Sequence, residues 1–390
     1  MSGDILTLDE RINAESASMH EILGGFEGQR VSALAKKIHN YDAKFQEALR
    51  IVTGVMTGRR PDWHLREAMT TSDFPLLFAD VIDRQLLARY ETIPKSYPMW
   101  AKIMTVRDFR KASVFSLTES GVTLPKVPAT TEYTESKWTE SQKQIFVEKY
   151  GEKVPVSWEM LINDDLGAFQ TLPLDMADKA SNTEEYYATS LICDANGPDA
   201  TFFSASHNNL ITSALSADGL DVAVAALAKI RSLEAKAGRG IDNTGAVLVV
   251  PPALERTAQK LIAALEIRSK SSGGTSTQEI VTTNINANLK YAVAPFIPSI
   301  VSDYEDAAKC WFLFSDPNKP RQAIRVAKLR GYETPGLYRK TSNQESVGGG
   351  ATSAMDGDFE TDSIQWKVRQ MFGGIAFDER FGVGSTGAGS

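Results

Sequence analysis

Residues 106–158 run VRDFRKASVFSLTESGVTLPKVPATTEYTESKWTESQKQIFVEKYGEKVPVSW. Both limbs of this stretch alternate. Phe109, Ser113, Phe115 and Leu117 share one side of the first limb, and Val154, Val156 and Trp158 alternate with Pro155 and Ser157 in the last. Between them lies a tip containing Pro125, Pro128, Thr130, Thr131, Glu132, Thr134 and Glu135, too polar to build a core of its own. The pattern predicts one long β-hairpin over 106–158. An isolated two-stranded hairpin is marginal in water. Such a hairpin either lies on another surface or stays mobile, and if its own domain does not supply that surface, a second copy of the chain must.

Working outward, residues 1–60 read as helix, with Leu34, Ile38, Tyr41, Phe45, Leu49, Val52 and Met56 on one face. In residues 61–105, Ser72 or Asp73 caps a predicted helix over about 74–90, and Pro94 and Pro98 end any continuation. Downstream of the hairpin a long helix is expected over 164–193, with Leu172, Met176, Ala180, Thr183, Tyr187 and Leu191 at helical spacing and a break near Pro173. Glu184 and Glu185 sit about 100° apart on that helix, so they do not converge on one substrate and read as a solvated face.

Residues 218–300 have α/β character. A helix over 220–233 with Asp218 as cap precedes an apolar strand at Gly245–Val250, and Pro252 opens a helix to about Leu265. The Ser/Thr/Gly/Asn-rich stretch 268–288 reads as a flexible loop, followed by strands at 291–297 and 311–314. The strictest alternation is Ile364-Gln365-Trp366-Lys367-Val368-Arg369 within a strand region over 321–381, and 382–390 reads as a flexible tail.

Composition bounds the function. The chain has 390 residues with 42 Lys+Arg against 49 Asp+Glu, so 42 − 49 = −7, and it is 42% hydrophobic. That excludes a wholly disordered chain and a protein whose entire surface grips nucleic acid, though not a local basic strip. The two cysteines, Cys193 and Cys310, cannot form a disulfide framework and fit a reducing, cytosolic home. Asp4, Asp9 and Glu10 argue against a signal peptide, and no stretch reaches the ~20 apolar residues of a membrane span.

Catalytic motifs are sparse. Gly382-Val383-Gly384-Ser385-Thr386-Gly387 matches G-x-G-x-x-G but is followed by only three residues, too few for the helix a dinucleotide site requires. No P-loop, H-E-x-x-H or C-x-x-C is present, and His20, His39, His64 and His207 are scattered, so no metal or cofactor is expected. The one enzyme reading is a cytosolic thiol hydrolase. Cys193 would be the nucleophile and His207 the base, with Asp194 or Asn208 orienting the imidazole. Its counter-reading makes Cys193 a small buried residue ending a helix and His207 a turn-holding side chain. The basic run Arg321, Arg325, Lys328, Arg330, Arg339 and Lys340 could touch phosphates but reads as a solvated face.

The order of elements resembles the major capsid proteins of tailed bacteriophages, the Hong Kong 97-like fold. Two segments are similar to the Mu-like major head subunit group: Phe203-Ser204-Ala205-Ser206-His207-Asn208-Asn209-Leu210 and Lys367-Val368-Arg369-Gln370-Met371-Phe372-Gly373-Gly374-Ile375-Ala376-Phe377-Asp378. The resemblance implies an α+β chain with a helical N-terminal segment (1–60), an N-arm (61–105) and an extended E-loop hairpin (106–158). A P-domain with the spine helix (159–217), an A-domain (218–315), returning P-domain strands (316–381) and a tail (382–390) complete it. It implies hexamers and pentamers of an icosahedral shell around viral double-stranded DNA, held without sequence-specific contact. Assembly would take place in the host cytoplasm, with portal, scaffold or decoration proteins as further partners and no membrane. Trp100, Leu124, Tyr133, Trp138 and Phe146 are the expected inter-subunit residues. A shell protein of an encapsulin-like nanocompartment is the alternative within the same fold.

Overall fold

The computed structural model describes residues 74–119, 126–127, 132–133, 138–157, 166–230, 245–263, 266–273, 276–283, 289–319, 321–340, 342–343, 347, 358–361 and 363–389, with a few helical positions between 44 and 51. The expected N-terminal helices therefore lie almost wholly outside the described residues. In chain order the elements begin with α1 (Phe74–Thr92), β1 (Ala101–Val106), β2 (Ala112–Glu119), β3 (Trp138–Ile145), β4 (Glu148–Ser157) and α2 (Leu166–Ser190). Short strands β5 (Cys193–Asp194) and β6 (Gly197–Pro198) lead to β7 (Leu210–Ser213), α3 (Ala217–Lys229), β8 (Gly245–Val250) and α4 (Glu255–Ala263). Then come β9 (Glu266–Gly273), β10 (Ser276–Thr283), β11 (Lys290–Val293), β12 (Trp311–Ser315), β13 (Ile324–Leu329), β14 (Gly336–Arg339), β15 (Ser363–Ala376) and β16 (Gly382–Gly389). No described helix is long and apolar enough to cross a membrane.

The chain divides into two units, one of residues 1–94, 149–182 and 332–371 and one of 95–148, 183–331 and 372–390. In the first unit, β14 runs antiparallel to the opening half of β15, with Gly336 opposite Arg369 and Arg339 opposite Trp366, and β4 also pairs with β15. The alternation read from the sequence is real: Ile364, Trp366 and Val368 are buried. Gln370 of the same face donates to the Tyr90 hydroxyl of α1 at 3.2 Å, and the Leu337 N–H donates to Asp83 at 3.1 Å. The helix α2 runs on through Pro173 rather than breaking there. Proline forfeits one backbone hydrogen bond, and the buried face of Met176, Ala177 and Ala180 beyond it keeps the helix continuous.

The second unit is built on a five-stranded sheet in the order β11-β8-β12-β16-β7. Its central strands are buried on both sides, which is why Gly245–Val250 and Trp311–Phe314 read as unbroken apolar runs. Alternation then splits the core in two. Leu248, Val250, Trp311, Leu313 and Val383 meet Leu220, Ala223 and Leu227 of α3 and Ala258 of α4. Val247, Val249, Phe312 and Phe314 meet Trp100, Ile192 and Phe203. The helix α3 starts at Ser216, whose hydroxyl accepts the Gly219 N–H at 3.0 Å, so Ser216 and not Asp218 is the cap. In the same unit β1 runs parallel to β13, and β13 antiparallel to the closing residues of β15.

Three expectations are corrected. Residues 382–389 are no tail: β16 lies inside the sheet, antiparallel to β12 and parallel to β7. Glycine is needed there, since a Cβ at Gly384 would come within 3.0 Å of the Phe203 ring and one at Gly382 within 2.7 Å of the Phe314 ring. The hairpin's return limb is β3, pairing Ala112 with Ile145 through to Glu119 with Trp138, while Val154 and Val156 belong to β4. Alternation identifies a strand but not its partner. The stretch 268–288 contains a second hairpin, β9–β10, with Ser276 opposite Gly273 and Thr283 opposite Glu266.

Replacing Gly384 with Val should cost about 1–3 kcal/mol through overpacking against Phe203. Ala388→Val, at an exposed position of the same strand, should stay within about 0.5 kcal/mol. Urea denaturation of both variants checks this.

Candidate functional site

The expected solvated face at Glu184 and Glu185 is buried. The two side-by-side carboxylates are 2% and 5% exposed. Glu184 accepts Lys95 Nζ at 3.1 Å and the Tyr97 hydroxyl at 3.0 Å, and faces Lys328 Nζ at 2.9 Å. Glu185 accepts the Ser96 N–H at 3.0 Å, the Tyr97 N–H at 3.4 Å and the Ser96 hydroxyl. Their divergence on the helix is used: one carboxylate gathers two ammonium groups, and its neighbour caps the turn at 96–97. Lys328, expected on a solvated basic face, is spent in this cluster. Arg325 of the same run lies 3.8 Å from the centre of the Phe377 ring. Burial raises the Glu185 pKa above the ordinary 4.5, against the hydrogen bonds from Ser96 and Tyr97 that lower it. Burial first, and then the Glu184 carboxylate, push the Tyr97 hydroxyl up.

The segment Phe202–Leu210 and the strand end at Phe377–Glu379 are joined by one amide. Asn209, fully buried, accepts the Ser204 N–H at 2.9 Å and donates to the carbonyls of Phe202 at 2.9 Å and Glu379 at 3.0 Å. Asn208 beside it adopts φ 56, left-handed, which asparagine tolerates. Asn209 belongs to the first of the two segments that carry the resemblance, and Glu379 follows directly on the end of the second.

No thiol hydrolase is assembled. Cys193 is buried, its thiol donates to the Thr189 carbonyl at 3.3 Å, and burial pushes its pKa up, away from the thiolate a nucleophile requires. His207 Nδ1 sits 3.2 Å from the Phe202 carbonyl, holding its own turn. Gly382–Gly387 lie on β16 rather than before a helix. Among the described residues no cluster of His, Cys, Asp and Glu is placed to hold a metal.

What remains is the hairpin. The β2–β3 ladder pairs only with itself among the described strands. Its base is anchored: Ile145 and Val147 are buried, Lys143 donates to the Ala376 carbonyl at 3.1 Å and pairs with Glu379 at 3.7 Å, and Gly373 lets the Phe146 backbone approach. Aromatic side chains along it are uncovered: Phe109 before β2 is 51% exposed, Phe115 on β2 56%, Tyr133 between the strands 85% and Phe146 after β3 38%. Trp138 opens β3 opposite Glu119, and Leu124 lies outside the described residues. Trp100 is a correction: it is 1% exposed, stacked on Phe314 with centroids 5.7 Å apart, so its own core uses both faces of the indole. Phe109 and Phe115 replace it as exposed aromatics, and their shared side of the first limb was the signal for them.

Glu184→Gln should cost about 3–5 kcal/mol, because it removes the buried charge that two ammonium groups share. Glu185→Gln should cost about 1 kcal/mol, since an amide oxygen still accepts from the same neutral donors. An acid whose folded pKa is raised stabilises the fold at low pH and loses that contribution as pH rises through the folded value. Wild type should therefore lose stability relative to Glu185→Gln on going from pH 4 to pH 7, as followed by urea denaturation.

Comparison with known proteins gives one family. The model of a family described as phage capsid protein matches residues 140–384. No curated protein matches the chain. Similar solved structures include one of Gordonia phage Cozz, at 14% identity, 75% of this chain and 86% of that one, with a TM-score of 0.43. The capsid of cyanophage P-SCSP1u gives 10% identity over 76% and 89%, with a TM-score of 0.45. The SrpI encapsulin of Synechococcus elongatus gives 9% identity over 76% and 88%, with a TM-score of 0.40.

Proposed function

Because the chain belongs to the phage capsid protein family, we propose that many copies of it assemble as hexamers and pentamers into an icosahedral shell that encloses double-stranded viral DNA. The chain is a major capsid protein with the α+β Hong Kong 97-like fold, and its work is structural. The observation that carries the assembly reading is the hairpin. Among the described residues the two-stranded ladder pairs with no other strand, and Phe115 on it and Tyr133 and Phe146 flanking it are uncovered. Placed across a neighbouring subunit it gains a surface to lie on, and repetition of such a heterologous contact closes rings.

The parts take these roles. The hairpin β2–β3 is the E-loop, with Tyr133, Trp138, Phe146 and Leu124 meeting the next subunit. The helix α2 is the spine, β4, β14 and β15 belong to the P-domain, and the sheet of β8, β12 and β16 belongs to the A-domain. The segment over residues 61–105 is the N-arm, and its last turn, Ser96–Tyr97, is held by Glu184 and Glu185. Within the family, the similarity of Phe203–Leu210 and Lys367–Asp378 to the Mu-like head subunits supports a kinship with that group. The shell is built in the host cytoplasm and becomes the virion capsid, with portal, scaffold or decoration proteins as partners.

Electron microscopy of the purified wild type should show rings, shells or tubes. Deleting roughly residues 118–142 should leave a folded subunit, because such a loop tip carries no core, yet one that forms no stable shell. Normal shells from the deletion would end the inter-subunit reading, and shells filled by a single foreign protein instead of nucleic acid would make the assembly a nanocompartment.

A further inference from the structure

The strands β4, β15 and β14 of the first unit present one face with an unusual charge pattern. On β15, Ile364, Trp366, Val368 and Gln370 turn inward, so Gln365, Lys367 and Arg369 turn outward. On β14, Tyr338 lies opposite Lys367 and shares its side. On β4, Val154 and Val156 face inward and Glu152 pairs with Lys179 of α2, which leaves Lys149, Gly151, Lys153 and Pro155 outward. No outward position of these three strands carries a carboxylate, in a chain whose net charge is −7.

Nor do the cations find carboxylates elsewhere. Among the described residues, Lys149, Lys153, Lys367 and Arg369 appear in none of the ion pairs, all of which engage other lysines and arginines. Arg369 is nonetheless held in place. Its Nη2 donates to the Tyr338 hydroxyl at 2.7 Å, and its guanidinium lies 4.6 Å from the Tyr338 ring centre and 5.8 Å from that of Tyr332. Lys367 Nζ lies 5.3 Å from the Tyr338 ring. Gly336 stands opposite Arg369 on one side, and Gly151 approaches its backbone on the other, so no neighbouring Cβ crowds the guanidinium. A guanidinium oriented by stacking and one neutral hydrogen bond keeps its charge unneutralised and loses little entropy on meeting an anion.

We propose that this face, Lys149, Lys153, Lys367 and Arg369 interleaved with Tyr332 and Tyr338, binds the phosphate backbone of the enclosed DNA without reading its sequence. The inference rests on the reading of the chain as a shell around DNA and names the surface that meets it. Cations at alternate positions of a strand recur every ~6.6 Å along a flat sheet, which suits a row of phosphates. The absence of base-specific geometry fits a contact that is electrostatic and salt-dependent.

The test measures binding of a random-sequence DNA duplex to the full-length, unassembled chain by fluorescence anisotropy across a salt series. Four phosphate contacts should give a log–log slope of about −3.6, which is about a 150-fold loss of affinity between 50 and 200 mM salt. The variant Lys149→Gln/Lys153→Gln/Lys367→Gln/Arg369→Gln should lose that slope and still assemble. Lys149→Gln/Lys153→Gln alone should lose about half of it. Neutralising three exposed lysines of the other unit, Lys229, Lys260 and Lys290, should change nothing. Wild-type affinity and slope in the quadruple variant would overturn the proposal. So would a quadruple variant that binds DNA normally but no longer assembles, which would give the face to an acidic segment of a second copy. Because binding is read on unassembled chain, its failure is distinct from a failure to form shells.

Discussion

Two adjacent carboxylates on one helix, Glu184 and Glu185, hold together segments far apart in sequence. Lys95, Ser96 and Tyr97 come from the stretch before β1, and Lys328 comes from β13. Burying such groups is no route to extra stability, since desolvation consumes most of the attraction. What the cluster supplies is position. The parallel pairing of β1 with β13 joins Ala101 to Ile324 and gets no help from a short turn. A slip of one residue would turn every side chain of β1 to the wrong face. The cluster fixes the start of β1 through Ser96 and Tyr97 and the register of β13 through Lys328. From β13 the order passes to the closing half of β15, and from there to Gly373, against which the hairpin base packs.

Much of this was legible in the sequence, for identifiable reasons. The alternation at Ile364–Arg369 has a period that only a strand satisfies, and Gly245–Val250 is a short β-branched apolar run suited to a strand buried on both sides. The spacing from Leu172 to Tyr187 is helical throughout. The alternation through Ser113, Phe115 and Leu117 marked the first limb of the hairpin as a strand. What escaped depends on partners that no local pattern contains. Glu184 and Glu185 look like any acidic pair on a solvated helix until Lys95 and Lys328 are brought to them. The glycines of 382–389 look like a tail, because the property that makes glycine flexible in isolation also lets a strand pass beneath Phe203 and Phe314. Val154 and Val156 alternate as a hairpin limb would, yet their neighbour is β15. Trp100 is among the inter-subunit residues that the resemblance implies, yet a large aromatic side chain is equally what a core rewards.

The scarcity of reactive side chains and the distribution of charge belong to one design. Both cysteines are buried, and burial raises their pKa values, that of Cys310 to about 12, so neither is a nucleophile. His207 spends its hydrogen bond on its own turn, and Asn209 divides its bonds between that turn and the Glu379 carbonyl. Polar chemistry inside the fold is thus used up in positioning. Among the described residues two kinds of uncommitted group stand out, the exposed aromatics of the hairpin and the cations outward on β4 and β15. A chain that repels its own copies through a net charge of −7 associates through uncharged contacts more readily than through charged ones. Uncovered Phe115, Tyr133 and Phe146 meet that condition. In the proposed shell around DNA, the same acidic balance would hold the polyanion away from the wall, and a face cleared of carboxylates would relieve that repulsion; on that proposal the hairpin and the cationic face answer two separate demands, joining neighbours and tolerating contents.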